Sequence, residues 1–235
     1  KAFLRPVMNR PNLRVITGAH VKRLLLERQG DGALRCTGIE WQPLRGAPFT
    51  VRATRGVVLA AGAVGTPQIL QLSGVGPAGL LREHGIDVQH ELAGVGENLQ
   101  DHLQVRAVFG VEGVKTLNVQ ANSLFGKALI GLEYLLRRSG PMSMAPSQLG
   151  AFTRSDPSQP HANLEYHVQP LSLDAFGQPL HRFNAFTASV CNLNPTSRGS
   201  VTIRSPKADD APAILANYLS TGEDRRIAAE SLRLT

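Results

Sequence analysis

Alternating apolar and polar positions at the start of the chain predict a small antiparallel meander. The alternation covers residues 12–17 and 19–27, and two further strands are predicted at 36–42 and 49–55 around a proline-containing loop. Period-two alternation of this kind is typical of half-buried strands. An uninterrupted apolar run at 57–61 follows and predicts a buried strand.

Helical signals follow this run. Residues 67–72 form the first predicted helix, with Thr66 as N-cap and Pro67 at the first helical position, where no backbone N–H is needed. A second short helix is predicted at 78–84. Further strands are predicted at 86–90, 103–109, 164–168, 183–193 and 200–203.

The longest helical pattern covers residues 117–139. Its apolar positions at helical spacing include Leu124, Ala128, Leu132 and Leu135. We expect this stripe to pack into a core. A last helix is predicted at 223–234, with acidic residues at its start and arginine later, which is the order that the helix dipole favours. Helices and strands together predict a mixed α/β (α+β) fold class.

Composition and charge exclude several classes of protein. Of the 235 residues, 42% are hydrophobic and 18% are charged, which is typical of a folded globular chain. The formal net charge of +7 comes from scattered basic residues, so no nucleic-acid partner is expected. No apolar run reaches the roughly 18 residues that cross a bilayer, so no integral membrane segment is expected.

Cysteine and histidine positions do not indicate a metal site. Cys36 and Cys191 are far apart in sequence, which favours free thiols over a disulfide framework. The spacing of His84, His90 and His102 fits no common set of metal ligands. We therefore expect no metal.

A glycine-rich run follows the apolar stretch. It reads Gly62-Ala63-Val64-Gly65-Thr66-Pro67-Gln68-Ile69-Leu70-Gln71-Leu72-Ser73-Gly74-Val75-Gly76. A strand that enters a Gly/Ala turn and then a helix lets the backbone approach a phosphate-bearing cofactor closely. From the glycines alone, an ordinary strand–turn–helix in a doubly wound sheet stays open as an alternative. The run resembles the signature of the GMC (glucose–methanol–choline) family of flavin oxidoreductases.

Three further segments resemble the same family in the same order. Residues 4–27 resemble its Arg-Pro-Asn-Leu … Gly-Ala-x-Val segment, 94–102 its Gly-Val-Gly-x-Asn-Leu-x-Asp-His loop, and 195–201 its Ser-Arg-Gly-x-Val strand entry. The resemblance implies FAD as cofactor, a Rossmann-like FAD-binding domain, and a substrate domain with an antiparallel sheet flanked by helices. On this basis we predict a partial FAD-binding domain at 1–105 and a substrate-binding domain at 106–235.

The resemblance also implies residues for each site. Those near FAD would be Val21, Ala61, Gly62, Thr66, Pro67, Asn98, Asp101 and His102, with the backbone of Val21 against the adenine. Met144, Gln148 and His167 would line the substrate pocket. A histidine held in a core or sheet face is the alternative for His167, and a surface turn is the alternative for Asp101 and His102.

Parts of the family machinery have no counterpart in this sequence. The Gly-x-Gly-x-x-Gly fingerprint, which places a pyrophosphate at a helix N-terminus, is not found. The family's catalytic histidine comes from a segment that would follow residue 235. We expect an internal fragment that binds FAD weakly and does not turn over alone, and we assign no catalytic residue.

The reaction that the resemblance implies for the parent protein is FAD-dependent oxidation of an alcohol to an aldehyde, with hydride transfer to the flavin. The sequence resembles the bacterial choline- and alcohol-dehydrogenase branch of the family more than its fungal oxidases. Trp41 is the single tryptophan and no cation-binding aromatic cage is evident, so an aliphatic or aromatic alcohol is favoured as the small-molecule substrate. The electron acceptor stays open among oxygen, a quinone and others.

Other functions stay open from the sequence. They are a flavin-containing hydroxynitrile lyase of the same family, a truncated domain without catalysis, and a nucleotide-binding protein without a redox role. The expected location is bacterial-type, either cytoplasmic or peripherally associated with a membrane.

Overall fold

The fold divides into two compact units, each formed by two stretches of chain. The computed structural model describes residues 2–145, 147–175 and 177–235. Unit 1 combines Lys1–Leu99 with Gly199–Ala216, and unit 2 combines Gln100–Arg198 with Asn217–Thr235. Both contain strands and helices, which confirms the predicted mixed α/β class.

Strands and helices are interspersed along the whole chain. From the N-terminus they are a 3-10 helix (Arg5–Val7), β1 (Ala19–Arg28), β2 (Leu34–Pro43), β3 (Phe49–Arg52), α1 (Gly62–Leu72), β4 (Val75–Gly76), α2 (Ala78–Glu83), β5 (His90–Glu91), β6 (Gln104–Gly110), α3 (Leu117–Asn122), α4 (Leu124–Arg137), a 3-10 helix (Pro141–Ser143), β7 (Leu149–Thr153), β8 (Leu164–Gln169), β9 (Ala185–Asn192), β10 (Ser200–Thr202), β11 (Ala213–Leu215) and α5 (Gly222–Leu234). Across the described part of the chain, every helix falls short of the length and apolar character that crossing a membrane requires.

Unit 1 is built on the antiparallel sheet β1-β2-β3, as the alternation predicted. Helix α1 packs against β1 and also against β10, which belongs to the returning stretch of unit 1. Hydrogen bonds made by two polar side chains, Ser73 and Gln71, hold α1 against its neighbours. Ser73 Oγ accepts a 2.8 Å hydrogen bond from the Leu24 N–H, and the buried amide of Gln71 bonds to the backbone of the returning stretch.

Unit 2 is built on the antiparallel sheet β6-β9-β8-β7. One face of this sheet carries the core, formed by Leu164 and Val190 with Ile227 of α5, and Val105 and Tyr166 pack against it. The register places the alternate residues on the opposite face. That face, called the polar face below, carries Gln104, Arg106, Glu165, His167, Gln169, Thr187, Ser189 and Cys191.

The helix predicted at 117–139 is two helices, α3 and α4, separated at Ser123. The Ser123 hydroxyl accepts a 2.9 Å bond from the Gly126 N–H and so caps α4. The expected core packing of the apolar stripe is wrong within the described residues, because Leu124, Leu132 and Leu135 are 86%, 52% and 69% exposed. An apolar stripe predicts a face that favours burial, but it does not specify what covers that face.

Four other local predictions are wrong. One is the strand predicted at 86–90, because among these residues only His90 lies in a strand, β5. Residues 12–17 form no strand, and the apolar run at 57–61 pairs with no strand among the described residues and leaves Val58 91% exposed. Helix α1 begins at Gly62, so Pro67 lies inside the helix and Thr66 is not its N-cap. A run of apolar residues becomes a buried strand only where neighbouring strands satisfy its backbone.

Gly96 provides a test of packing in unit 1. Its φ is +89°, and a Cβ there would lie 2.2 Å from Val201 O and 2.5 Å from Gln71 Nε2. We expect Gly96→Ala to lower the free energy of unfolding by about 2 kcal/mol, because it adds backbone strain to a steric clash. Urea denaturation followed by Trp41 fluorescence measures the change. Gly94→Ala, which adds a methyl group in open space, is the control; equal losses in the two variants would contradict this packing.

Candidate functional site

A cavity of about 270 Å³ lies in unit 1 at two of the predicted cofactor residues, Val21 and Ala61. Its other lining residues are Ala19, His20, Gly65, Gln68, Ile69, Leu72 and Ala208. Val21 pairs with Trp41 in the sheet, and an irregularity in the register follows it before Arg23. Most of the lining side chains are small or apolar, so a ligand could approach the backbone closely. A larger cavity of about 690 Å³ in the same unit contains none of the predicted cofactor residues.

The N-terminus of α1 adjoins this cavity through Ala61. Gly62 begins the helix with a φ of +79°, a conformation that glycine adopts without strain. No side chain caps this end. Thr66 instead accepts a 3.1 Å bond from the Ala61 N–H and so fixes the turn, while Pro67 lies one turn into the helix. The first N–H groups of α1 therefore present the positive end of the helix dipole.

The loop at 94–102 divides between the two units. Asn98, in unit 1, has a φ of +60°, and Leu99 then exchanges two backbone hydrogen bonds with Gly199. In unit 2, Asp101 accepts a hydrogen bond from the Tyr218 hydroxyl, which raises the pKa of Tyr218. His102 Nε2 lies 3.2 Å from the backbone O of Leu193. The structure thus gives Asn98 a left-handed backbone conformation and gives Asp101 and His102 a polar side-chain contact each.

The predicted substrate residues all lie in unit 2. Met144 is half-buried and Gln148 is exposed, and the Gln148 amide contacts the Met144 sulfur. Residue 146, between them, lies outside the described residues. His167 is on the polar face, opposite Ser189 in the register, and its Nε2 lies 3.4 Å from Glu165 Oε1.

The polar face contains groups that the sequence analysis missed. Both cysteines are free, as expected, and Cys191 is buried on this face. Burial raises the pKa of the Cys191 thiol, and the nearby charge of Glu165 raises it further. Ser189 Oγ is buried and has no hydrogen-bond partner among the described residues. Polar side chains at every second position of β8 and β9 were the available signal.

Comparison with known proteins agrees with the resemblance in the sequence. Residues 1–104 match the family model described as GMC oxidoreductase. The chain is similar to the GMC oxidoreductases over these N-terminal residues. It is also 37% identical over 235 residues to the oxygen-dependent choline dehydrogenase of Brucella canis, covering 100% of this chain and 41% of that protein.

Two other proteins extend the comparison. The alcohol dehydrogenase [acceptor] of Pseudomonas putida is 36% identical over 226 residues, covering 95% of this chain and 40% of that protein. A formate oxidase structure from Aspergillus oryzae aligns with a TM-score of 0.86 at 25% identity, covering 97% of this chain and 44% of that chain. The chain thus spans less than half the length of these relatives.

Proposed function

We propose that this chain supplies cofactor-binding and substrate-binding residues to a protein that oxidises an alcohol to an aldehyde with FAD. The observation that carries the proposal is the cavity at Val21 and Ala61, next to the uncapped start of α1, in a chain similar to the GMC oxidoreductases. Among the relatives, the names choline dehydrogenase and alcohol dehydrogenase support an alcohol as the substrate.

The residues of unit 1 fit one part of FAD. Ligand sites commonly have volumes of about 300–1,000 Å³, so a cavity of about 270 Å³ suits one end of an extended cofactor. In this proposal the backbone of Val21 contacts the adenine, and Ala61 and Gly62 let the cofactor approach closely. The free N–H groups of α1 would favour its negative charge. When bound, FAD supplies the hydride acceptor.

Thr66, Pro67 and Asn98 act in this proposal by fixing the backbone around the cofactor. Thr66 holds the turn before α1 through the Ala61 N–H, and Asn98 keeps the 94–102 loop in a left-handed conformation. Asp101 and His102 remain proposed FAD residues of that loop. The proposed division into an FAD-binding part at 1–105 and a substrate-binding part at 106–235 is supported by the break between contact units near residue 100, although 199–216 returns to unit 1.

On the substrate side, we propose that Met144, Gln148 and His167 line the alcohol pocket. Met144 supplies a flexible apolar surface, while His167 and its neighbour Glu165 supply polar groups that can orient a hydroxyl. An aliphatic or aromatic alcohol remains the preferred class. The electron acceptor, the catalytic base and the cytoplasmic or peripheral location stay predictions for the complete protein.

Filling the unit 1 cavity tests the cofactor assignment. We expect Ala61→Leu to weaken FAD binding about tenfold in the protein encoded by the complete gene, because overpacking a site costs about 1–3 kcal/mol. Flavin fluorescence titration measures the dissociation constant. Ala60→Leu is the matched control, since Ala60 is exposed and does not line the cavity. An unchanged constant for Ala61→Leu would contradict the assignment.

A further inference from the structure

Three side chains able to bind a metal meet on the polar face of unit 2. His102, Glu165 and Cys191 each offer one ligand atom, and these atoms lie within 4.8 Å of one another. We infer that these residues form a binding site for a single transition-metal ion, with zinc as the best match. The metal site would share His102 with the proposed FAD residues and Glu165 with the proposed alcohol pocket, and metal binding at it does not depend on oxidation.

The sheet brings together residues that are far apart in sequence. Glu165 and Cys191 are direct partners in the register of β8 and β9, and Cys191 also pairs with Gln104 of β6. Directly opposite residues in antiparallel strands have Cβ atoms about 4.5–5.5 Å apart. His102 lies two residues before Gln104. Two of the three ligands are therefore held by regular backbone pairing and need no rearrangement of the sheet to meet.

The ligand types match zinc. Thiolate, imidazole and carboxylate are the groups that bind Zn²⁺ in proteins, and three protein ligands leave a fourth position for water or another ligand. The backbone O of Leu193 lies 3.2 Å from His102 Nε2. A carbonyl there accepts the Nε2–H and leaves the Nδ1 lone pair for a metal, as is usual for metal-binding histidines. On binding, Cys191 releases its thiol proton to solvent and forms an S–metal bond.

The surroundings of the cluster also favour a bound group. Cys191 is 2% exposed, and Glu165 has a half-buried side chain whose carboxylate lies 3.4 Å from His167 Nε2. A divalent cation would compensate the carboxylate and thiolate charges. Ser189 lies two residues before Cys191 on the same face and is 1% exposed. Its Oγ lacks a hydrogen-bond partner among the described residues. A polar ligand on this face would supply that partner.

Arg106 is a cation on the same face. It lies opposite Ser189, two positions along β6 from Gln104, which pairs with Cys191. Its guanidinium donates a 3.0 Å bond to the backbone O of Asp174.

Metal titration of the full 235-residue chain tests the inference. Zn²⁺ is titrated without FAD, because His102 is also a proposed FAD residue, and its affinity is measured against a chromophoric chelator. Co²⁺ then reports the sulfur ligand through the thiolate-to-cobalt charge-transfer band. We expect one Zn²⁺ per chain and a thiolate band. Cys191→Ser should lose that band and weaken Zn²⁺ binding at least about tenfold.

Two variants make the result decisive. Cys36→Ser changes the other free cysteine and should leave both Zn²⁺ affinity and the cobalt band unchanged. Glu165→Gln removes a charged ligand and leaves both cysteines in place. It therefore decides the question if circular dichroism shows that Cys191→Ser does not fold. It should weaken Zn²⁺ binding but keep the thiolate band. Absence of stoichiometric binding in the unsubstituted chain, wild-type affinity in Glu165→Gln, or loss of the band in Cys36→Ser would each overturn the site.

Discussion

We expect Gln71→Leu to lower the free energy of unfolding by about 4 kcal/mol. Gln71 is fully buried in unit 1, where its Nε2 donates to Val95 O at 3.2 Å and to Val201 O at 3.0 Å. Its Oε1 accepts from the Ile203 N–H at 2.9 Å. Leucine has a similar volume but leaves three backbone groups without partners, and each unsatisfied buried group costs about 1–3 kcal/mol.

The measurement is urea denaturation followed by the fluorescence of Trp41, the single tryptophan, which lies in β2 of unit 1. Gln68→Leu is the control on the same helix. Gln68 is half-buried and makes one side-chain bond, at 2.9 Å to Asp210 O, so its loss should cost about 1 kcal/mol or less. If the two variants are destabilised equally, Gln71 does not hold the returning stretch against α1.

The second large effect is expected at Asp224, in the first turn of α5. We expect Asp224→Ala to destabilise the chain at neutral pH by about 4 kcal/mol, because a buried carboxylate loses several charge-assisted hydrogen bonds. Asp224 is 4% exposed, and its two oxygens accept 2.8 Å bonds from the N–H groups of Thr196 and Ser197. The Thr196 hydroxyl adds a bond of 3.1 Å. A negative charge at a helix N-terminus is also favourable.

The effect of Asp224 depends on pH in a direction that the structure fixes. Burial alone would raise the pKa of Asp224, but hydrogen bonds from Ser197 and Thr196 outweigh burial and hold that pKa below its usual value. The folded pKa is thus lower than the unfolded value of about 3.9. The stabilisation is complete above the unfolded pKa and is lost as pH falls through the folded pKa.

Urea denaturation followed by far-UV circular dichroism tests this from pH 7 downward. The difference between wild type and Asp224→Ala should stay constant down to about pH 5 and shrink below about pH 4. Glu223→Ala, at the exposed neighbouring position, should cost less than about 1 kcal/mol. A difference that grows on acidification would contradict the role of the ionised carboxylate.

Local patterns predicted those elements whose partners are near in sequence or whose pattern is strong. Strands β1 and β2 followed from alternation, and α5 from its polar and apolar spacing together with its acidic start. The packing of α1 against residues 199–216 was not predictable, because it depends on a buried glutamine, and glutamine is usually exposed. The strand predicted at 57–61 was wrong because the burial of an apolar strand depends on partners that are distant in sequence.

The candidate sites also depend on contacts between residues that are distant in sequence. The meeting of Val21 and Ala61 at one cavity followed the family resemblance, and no local pattern in either segment indicates it. The polar face of unit 2 required the strand register, because Glu165 and Cys191 are neighbours only once β8 and β9 pair. Sequence spacing alone therefore could not reveal the His102, Glu165 and Cys191 cluster.

The most direct test of the central claim is the absorbance spectrum of the protein encoded by the complete gene, after incubation with FAD and desalting. We expect a retained flavin band that an aliphatic or aromatic alcohol bleaches under anaerobic conditions. The same measurement on the 235-residue chain should show little retained flavin. A complete protein that retains no flavin, or whose flavin no alcohol reduces, would contradict the proposed oxidation.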